Sequence, residues 1–143
     1  MKFHNERMTF YPSDFINDWY GFPKFSDFKI IQSEKIGLHV ISSKDFFIGQ
    51  VVFVFSGQLI TKRTLRSLQI TNRLHIHDPY FMGYIAHSCD PNCSVNTSDL
   101  SFTCIKKIKS GDIITMDYNE TETNLFRSFK CSCGSKKCRK LIS

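Results

Sequence analysis

The C-terminal tail decides the fold of this chain, and over residues 129–139 it reads Phe-Lys-Cys-Ser-Cys-Gly-Ser-Lys-Lys-Cys-Arg. Cys131, Cys133 and Cys138 place three thiols within eight residues, and Gly134 lets the backbone turn tightly between them. A redox pair is disfavoured because cysteines one residue apart strain a disulfide and no predicted helix activates either thiol. A closed tetrahedral zinc site needs four protein ligands, so a fourth must come from elsewhere in the chain.

The other three of the six cysteines are candidates for that fourth ligand or for the core. We expect reduced thiols rather than disulfides, because the N-terminus lacks the apolar run of a signal peptide. Cys104 lies in a strand-like segment and is expected to be a small core residue. Cys89 and Cys93 flank residues 90–92, Asp-Pro-Asn, and both remain candidates for the fourth ligand.

Positive charge is concentrated in the same tail. The chain carries 19 Lys and Arg against 13 Asp and Glu, and the whole excess of +6 lies in residues 127–143, which contain no acid. A zinc ion with four thiolates carries about −2, so these basic residues partly neutralise the predicted site. The charge therefore does not require a nucleic-acid partner, although the tail could contact an acidic or nucleosomal one.

Length and hydropathy indicate one globular domain without a membrane span. The 143 residues are 41% hydrophobic and include 14 Phe, which can supply much of a core. No stretch approaches the ~20 apolar residues of a transmembrane helix. We expect a soluble, intracellular and monomeric protein.

The chain is predicted to be mainly β, with several small curved sheets and few short helices. Runs of branched or aromatic residues predict strands at residues 28–32, 38–42, 51–60, 74–77, 101–106 and 113–117. Residues 51–55 are apolar at every position, which predicts a strand buried on both faces.

Two helical segments and a pair of histidines complete this prediction. An N-terminal extension, residues 1–27, is expected to pack on the core and to contain a short helix from Ser13 to Gly21. One helical turn or two is expected in residues 61–68. His75 and His77 share one strand face and are expected to be polar surface.

Five motifs follow one another as in SET-domain protein-lysine methyltransferases, and the chain resembles this family over residues 28–143. Residues 87–92, His-Ser-Cys-Asp-Pro-Asn, are similar to the central motif, and residues 111–118, Gly-Asp-Ile-Ile-Thr-Met-Asp-Tyr, to the tyrosine strand. The cysteine tail resembles the post-SET segment. Upstream, residues 35–38 resemble the cofactor-binding Gly-x-Gly loop, and residues 48–61 the strand and Tyr-x-Gly motif that follow it.

The resemblance implies a fold and a division into domains. A SET-type fold threads its C-terminal segment under a loop in a knot-like way. The SET domain would occupy residues 28–122 and the post-SET zinc-binding tail residues 123–143. Residues 61–86 are short where larger members carry an insert that grips the substrate peptide.

The resemblance also implies a function, the transfer of methyl groups from S-adenosylmethionine to a lysine of a protein or peptide, such as a histone or another basic protein. Tyr118 is the implied catalytic residue, and it forms the substrate lysine channel with Phe55 and Met116. The implied cofactor-binding residues are Gly37, Leu38, Ala86, His87 and Leu141. The implied ligands of one structural zinc ion are Cys89, Cys131, Cys133 and Cys138. The expected compartment is the nucleus in a eukaryote and the cytoplasm, or a host cell, for a bacterial protein.

Several positions depart from the family pattern. Lys35 replaces the first glycine of the cofactor loop, Ala86 the asparagine before the histidine, and Phe55 the tyrosine of Tyr-x-Gly. A lost hydrogen bond costs about 0.5–1.5 kcal/mol, so these changes would weaken cofactor binding or turnover. They motivate an alternative, a catalytically weak SET-like module that binds a peptide or partner. A small zinc-containing nucleic-acid binder would leave the Tyr118 strand unexplained. Met116, where the family has Phe or Tyr, favours addition of two or three methyl groups.

Overall fold

The computed structural model describes residues 9–12 and 21–143 of the chain. Two 3₁₀ turns, Met82–Tyr84 and Tyr118–Glu120, are the only helical elements in these ranges. No helix in the described ranges has the length and apolar character needed to cross a membrane. The strands are β1 (Phe28–Ser33), β2 (Gly37–Ser42), β3 (Val51–Val54), β4 (Gln58–Ile60), β5 (Ser67–Gln69), β6 (His75–His77), β7 (Ala86–His87), β8 (Cys93–Asn96), β9 (Ser101–Cys104), β10 (Thr115–Met116), β11 (Phe129–Lys130) and β12 (Leu141–Ile142).

The strands form five small sheets. Strands β1 and β2 form an antiparallel hairpin, β9 lies between β3 and β8, and β6 lies between β4 and β5. Strand β7 pairs with β10 in parallel, and β11 pairs with β12 antiparallel. The prediction of a mainly β chain with several small sheets and few helices is confirmed.

Phenylalanine rings build the core. Phe53 is 1% exposed, and its ring stacks on Phe102 with 4.5 Å between the ring centroids. Edge contacts join Phe53 to Phe81 at 4.8 Å and to Phe28 at 6.0 Å, an arrangement that aromatic rings favour. The core therefore links β1, β3 and β9 to the segment that leads into the first 3₁₀ turn.

A buried tyrosine ties residues 9–12 to this core. The Tyr11 hydroxyl donates to Asp78 Oδ2 at 2.5 Å, and both side chains are fully buried. Asp78 also accepts the backbone N–H groups of Tyr80, Phe81 and Met82, so it fixes the turn before the first 3₁₀ element. The helix predicted to begin at Ser13 lies outside the described residues up to Gly21.

The prediction of one strand over residues 51–60 is wrong. Strands β3 and β4 belong to different sheets, and residues 55–57 separate them. A Cβ atom on Gly57 would collide with the carbonyl oxygen of His77, so the chain can change sheets here only with a glycine. Val51 is 56% exposed, so β3 is not buried on both faces along its whole length.

The helical turn predicted in residues 61–68 is also absent from the structure. The Thr64 N–H donates to Ser67 Oγ at 2.7 Å, and the Arg66 N–H donates to Thr64 Oγ1 at 3.2 Å. Such side-chain bonds to the backbone compete with helical hydrogen bonds. The chain therefore turns at these residues and continues into β5.

The two histidines of β6 occupy different environments. His75 is 3% exposed, and its Nδ1 has no hydrogen-bond partner among the described residues. His77 is half-buried, with its Nδ1 2.8 Å from Thr64 Oγ1. The expectation of polar surface is wrong for His75, which is buried, whereas His77 on the same strand is partly exposed.

Candidate active site and cysteine cluster

The main cavity, of about 720 Å³, lies where distant parts of the chain meet. Its walls come from residues 35–38, 64–68, 82–88 and 129–133, with Met116 and Tyr118 between them. Six of the residues that the motifs assigned to the cofactor or the lysine channel line it, namely Gly37, Leu38, Ala86, His87, Met116 and Tyr118. Motifs far apart in the sequence therefore border one cavity.

The tight turn between β1 and β2 forms one wall of this cavity. The Ile36 N–H donates to Ser33 Oγ at 3.2 Å, and Gly37 has a φ of +83°, which favours glycine. Lys35 is not among the described non-glycine residues with positive φ. The turn therefore uses glycine's freedom at Gly37 and does not need it at Lys35.

The parallel pair β7 and β10 brings the central motif beside the tyrosine strand. Ala86 pairs with Thr115 and His87 with Met116. Asn92 holds the same junction, because its Nδ2 donates to the Ile113 carbonyl at 2.9 Å and its Oδ1 accepts the Thr115 N–H at 2.9 Å. The tyrosine that follows β10 is thereby fixed against β7.

Tyr118 begins the second 3₁₀ turn, and hydrogen bonds hold both its backbone and its side chain. Its N–H donates to His87 Nδ1 at 3.0 Å, and its hydroxyl donates to the Ile85 carbonyl at 2.6 Å. Burial raises the pKa of Tyr118 to about 12, while the nearby Arg66 charge acts in the opposite direction. The hydroxyl is therefore a neutral group with a fixed orientation at the cavity wall.

His87 connects this tyrosine to the cysteines. Because its Nδ1 accepts the Tyr118 N–H, its proton resides on Nε2, which lies 3.4 Å from Cys89 Sγ and can donate to it. Burial lowers the pKa of His87, which favours this neutral form. The histidine thus bridges the tyrosine backbone and a sulfur atom.

Four cysteines lie together beside the cavity. The Sγ atoms of Cys89, Cys131, Cys133 and Cys138 are all within 4.8 Å of one another, and those of Cys89 and Cys131 are 4.0 Å apart. A tetrahedral ion with metal–sulfur bonds of ~2.3 Å needs sulfur atoms roughly 3.8 Å apart. The donor set therefore fits a closed tetrahedral metal site.

The local environment acts in opposite directions on two of these thiols. Burial raises the pKa of Cys131 to about 12, which disfavours its thiolate. Burial opposes ionisation of Cys133, but backbone N–H groups of Cys89 and Ser135 and the neighbouring thiols lower its pKa to about 6. The Arg139 N–H lies 3.4 Å from Cys89 Sγ. Thiolates are the form in which cysteine binds metal ions, so the cluster presents a ligand at neutral pH.

The remaining two cysteines lie apart from this cluster. Cys93 and Cys104 face each other across β8 and β9, and both are fully buried. Burial raises the pKa of Cys93 to about 12, which disfavours its thiolate. Cys104 is the core residue that its strand predicted, and Cys93, the alternative to Cys89, is not in the metal-ligand group.

Two of the predicted site residues do not reach the cavity. Phe55, assigned to the lysine channel, is 1% exposed and packs on Phe53 and Phe102. Leu141, assigned to the cofactor, is 61% exposed on the terminal strand β12, whose buried residue is Ile142. Neither residue lines the cavity, so their assignments to the lysine channel and the cofactor stay predictions.

The structure adds residues that the motifs did not indicate. Phe129 lines the cavity, and its ring centroid lies 5.6 Å from that of His87 and 6.0 Å from that of Tyr118. Arg66 stacks on Tyr84 at 4.3 Å. Phe129 lies two residues before Cys131, so the predicted folding of the tail onto Cys89 could have indicated that Phe129 lies near the site. No sequence pattern indicated the position of Arg66.

Known proteins are similar to this chain in sequence and in fold. The chain is 28% identical over 143 residues to the H3 lysine-36 specific histone-lysine N-methyltransferase of Candida albicans, an alignment that covers 83% of this chain and 17% of that protein. It is 31% identical over 84 residues to Methyltransferase flvH of Aspergillus flavus, covering 57% of this chain and 47% of that protein. The chain therefore spans less than half the length of either relative.

A solved structure has a similar fold. The crystal structure of KRYPTONITE in complex with mCHG DNA and SAH matches with a TM-score of 0.68 at 22% identity, over 81% of this chain and 29% of that one. The family model described as SET domain matches residues 37–119, which is more than half of the chain. This match begins at Gly37 and contains the β7 and β10 pair and Tyr118, and the chain belongs to the SET-domain family.

Proposed function

We propose that this chain is an S-adenosylmethionine-dependent protein-lysine N-methyltransferase. The observation that carries the proposal is the position of Tyr118, whose hydroxyl is hydrogen-bonded to the Ile85 carbonyl at the wall of a cavity that the family motifs border. Family membership supports it, as do relatives named histone-lysine N-methyltransferases. The motif departures do not remove this tyrosine or the cysteine cluster.

The cofactor would occupy the part of the cavity between the glycine turn and β7. Gly37, Leu38, Ala86 and His87 line this region, and Phe129, which also lines the cavity, would cover the bound cofactor. When bound, S-adenosylmethionine supplies the methyl group of its sulfonium. KRYPTONITE was crystallised in complex with SAH, the demethylated product of this cofactor, which supports the assignment.

The residues around Tyr118 would prepare the lysine. A free lysine has a pKa near ~10.4, yet only its neutral amine can accept a methyl group. Met116, Ile85 and Phe129 give the cavity apolar walls that disfavour the ammonium form, and solvent would take the proton. The Tyr118 oxygen and the nearby Ile85 carbonyl would orient the reacting groups through weak C–H···O contacts.

Met116 favours the addition of two or three methyl groups. It is 3% exposed and lines the cavity, where an apolar side chain leaves room that a phenol and its bound water would fill. Phe55 does not line the cavity, so we expect its missing hydroxyl to have little direct effect on the lysine site.

We assign one structural zinc ion to Cys89, Cys131, Cys133 and Cys138. The four-thiol donor set and its spacing support zinc, which would tie the tail to the central motif without taking part in methyl transfer. Metal analysis of the purified chain should find one zinc per chain. Substitution of Cys138 by Ser should remove it, whereas Cys93→Ser should keep it.

The enzymatic proposal is tested by incubating the chain with methyl-labelled cofactor and histones or whole-cell protein. We expect label on lysine side chains, identified as mono-, di- or trimethyl-lysine after acid hydrolysis. Histone labelling would support action in a nucleus. A zinc-loaded chain that binds the cofactor but labels no lysine would contradict the proposal and favour the peptide-binding module.

A further inference from the structure

A second pocket, of about 450 Å³, lies beside the main cavity. Leu125 and Phe126 line both, so the two spaces share an apolar lip. The other residues that line the second pocket are Thr61, Lys62, Arg63, Asn72 and His75. Two of these side chains are cationic and none is acidic, so the pocket favours a negatively charged occupant.

Two polar atoms of this pocket's side chains lack a partner. Arg63 Nε and His75 Nδ1 are buried, and neither has a hydrogen-bond partner among the described residues. Arg63 also forms no ion pair within residues 9–12 and 21–143. A buried polar group without a partner costs about 1–3 kcal/mol, a cost that an anionic group bound here would reduce.

The segment that carries the shared lip is firmly attached to the sheet containing His75. The Gln69 N–H donates to Glu122 Oε2 at 2.7 Å, and the Gln69 side chain exchanges two hydrogen bonds with Thr123, at 2.8 and 2.9 Å. Gln69 in turn pairs with His75 across β5 and β6. These hydrogen bonds hold the segment just before Leu125 and Phe126 next to the strand of His75, and the acid of this segment, Glu122, already accepts hydrogen bonds from the protein.

We propose that this pocket binds a carboxylate or phosphate group that the substrate peptide carries close to its target lysine. The inference rests on the proposed function, since the main cavity must receive that lysine. Continuity across Leu125 and Phe126 favours a peptide, whose backbone can cross the apolar lip while one side chain enters each space. Arg63 would supply a fork of N–H donors and His75 a single donor, which suits the oxygen atoms of an anion.

The test uses lysine-centred peptides in which Glu, Gln, phosphoserine or Ser stands at each position near the lysine. Binding is measured by fluorescence anisotropy and methyl transfer by kcat/KM, with wild type, Arg63→Gln and Arg73→Gln. Arg73 is an exposed arginine between β5 and β6, and it does not line the pocket. The Arg73→Gln variant therefore removes the same charge outside the pocket.

We expect Glu or phosphoserine at one position to improve wild-type binding about tenfold or more over its neutral counterpart. Arg63→Gln should abolish this preference and Arg73→Gln should retain it; a preference for Glu alone or phosphoserine alone identifies the source of the anion. Equal binding of charged and neutral peptides, or an unchanged preference in Arg63→Gln, would overturn the proposal. Because anisotropy needs no methyl transfer, failure of the proposed enzyme activity would be seen separately.

Discussion

Tyr118 is fixed by contacts from three residues in two separate parts of the chain. Ile85 accepts its hydroxyl, His87 accepts its N–H, and Phe129 packs against its ring. Burial raises its pKa to about 12, so the phenol keeps its proton across the working range of pH. The side chain can therefore act as an orienting group but not as a base.

This pKa gives a prediction for stability in alkali. Free tyrosine ionises near pH ~10, whereas folded Tyr118 keeps its proton until about pH 12. Between these values the folded state binds more protons than the unfolded state, so the free energy of unfolding falls as pH rises. Thermal unfolding of Tyr118→Phe should show a shallower decline in Tm above pH 10 than wild type. Tyr80→Phe serves as the control, and equal slopes for Tyr118→Phe and wild type would contradict the prediction.

At the scale of elements, Arg139 joins the tail to the tyrosine turn with three hydrogen bonds, and Asn119 Nδ2 adds a fourth by donating to the Ser143 carbonyl at 3.1 Å. Arg139 donates from both terminal nitrogens to the Asp117 carboxylate, at 2.7 and 2.9 Å, and from Nη2 to Asn119 Oδ1 at 3.1 Å. Asp117 is the N-cap of the turn that begins at Tyr118 and accepts the Asn119 N–H. The Arg139 side chain therefore positions the turn from outside the cavity.

We predict that Arg139→Lys lowers kcat about three- to tenfold while the chain keeps its zinc. Lysine retains the charge but cannot form the two-point contact with a carboxylate. The KM for the cofactor should change less than kcat, because Arg139 does not line the cavity. Lys137→Arg is the matched control, and an unchanged kcat in a zinc-loaded Arg139→Lys chain would exclude this positioning role.

The break between β3 and β4 gives a prediction about the fold. Gly57→Ala should lower the free energy of unfolding by about 1–3 kcal/mol, because the added Cβ collides with the His77 carbonyl. Urea denaturation measures the change, with Gln58→Ala at the neighbouring exposed position as the control. If Gly57→Ala loses less unfolding free energy than Gln58→Ala, the backbone must accommodate the added Cβ without an energetic cost.

The sequence predicted the elements that have a clear local pattern. Strands β1, β2, β9 and β10 were found because branched and aromatic residues run through them or beside them, whereas β7 is only two residues long and pairs with β10. The cysteine cluster was found because three ligands are close in sequence. Burial of His75 and the contacts of Arg66 depend on neighbours that no local pattern specifies.

At the scale of the whole molecule, the tail closes one side of the cavity. Cys131 and Cys133 line it directly, and Cys89 connects them to the central motif. The knot-like threading of the C-terminal segment stays a prediction. If zinc holds this arrangement, its loss should free the tail while the phenylalanine core stays folded.

We therefore predict that chelation of zinc exposes the tail before the core unfolds. Trypsin should cut at Lys136, Lys137 or Arg139 in the chelated chain at least about tenfold faster than in the zinc-loaded chain, because local opening precedes cleavage. Far-ultraviolet circular dichroism should change little at the same time. Simultaneous loss of the whole fold would show that the ion supports the core as well as the tail.

The central claim is that Tyr118 directs methyl transfer to a lysine in this cavity. The most direct test compares methyl-lysine formation by wild type, Tyr118→Phe and Tyr80→Phe, all zinc-loaded and saturated with cofactor. We expect Tyr118→Phe to lose about a hundredfold or more of kcat while it binds the cofactor as wild type does, and Tyr80→Phe to remain active. Equal methyl-lysine formation by wild type and Tyr118→Phe would contradict the account.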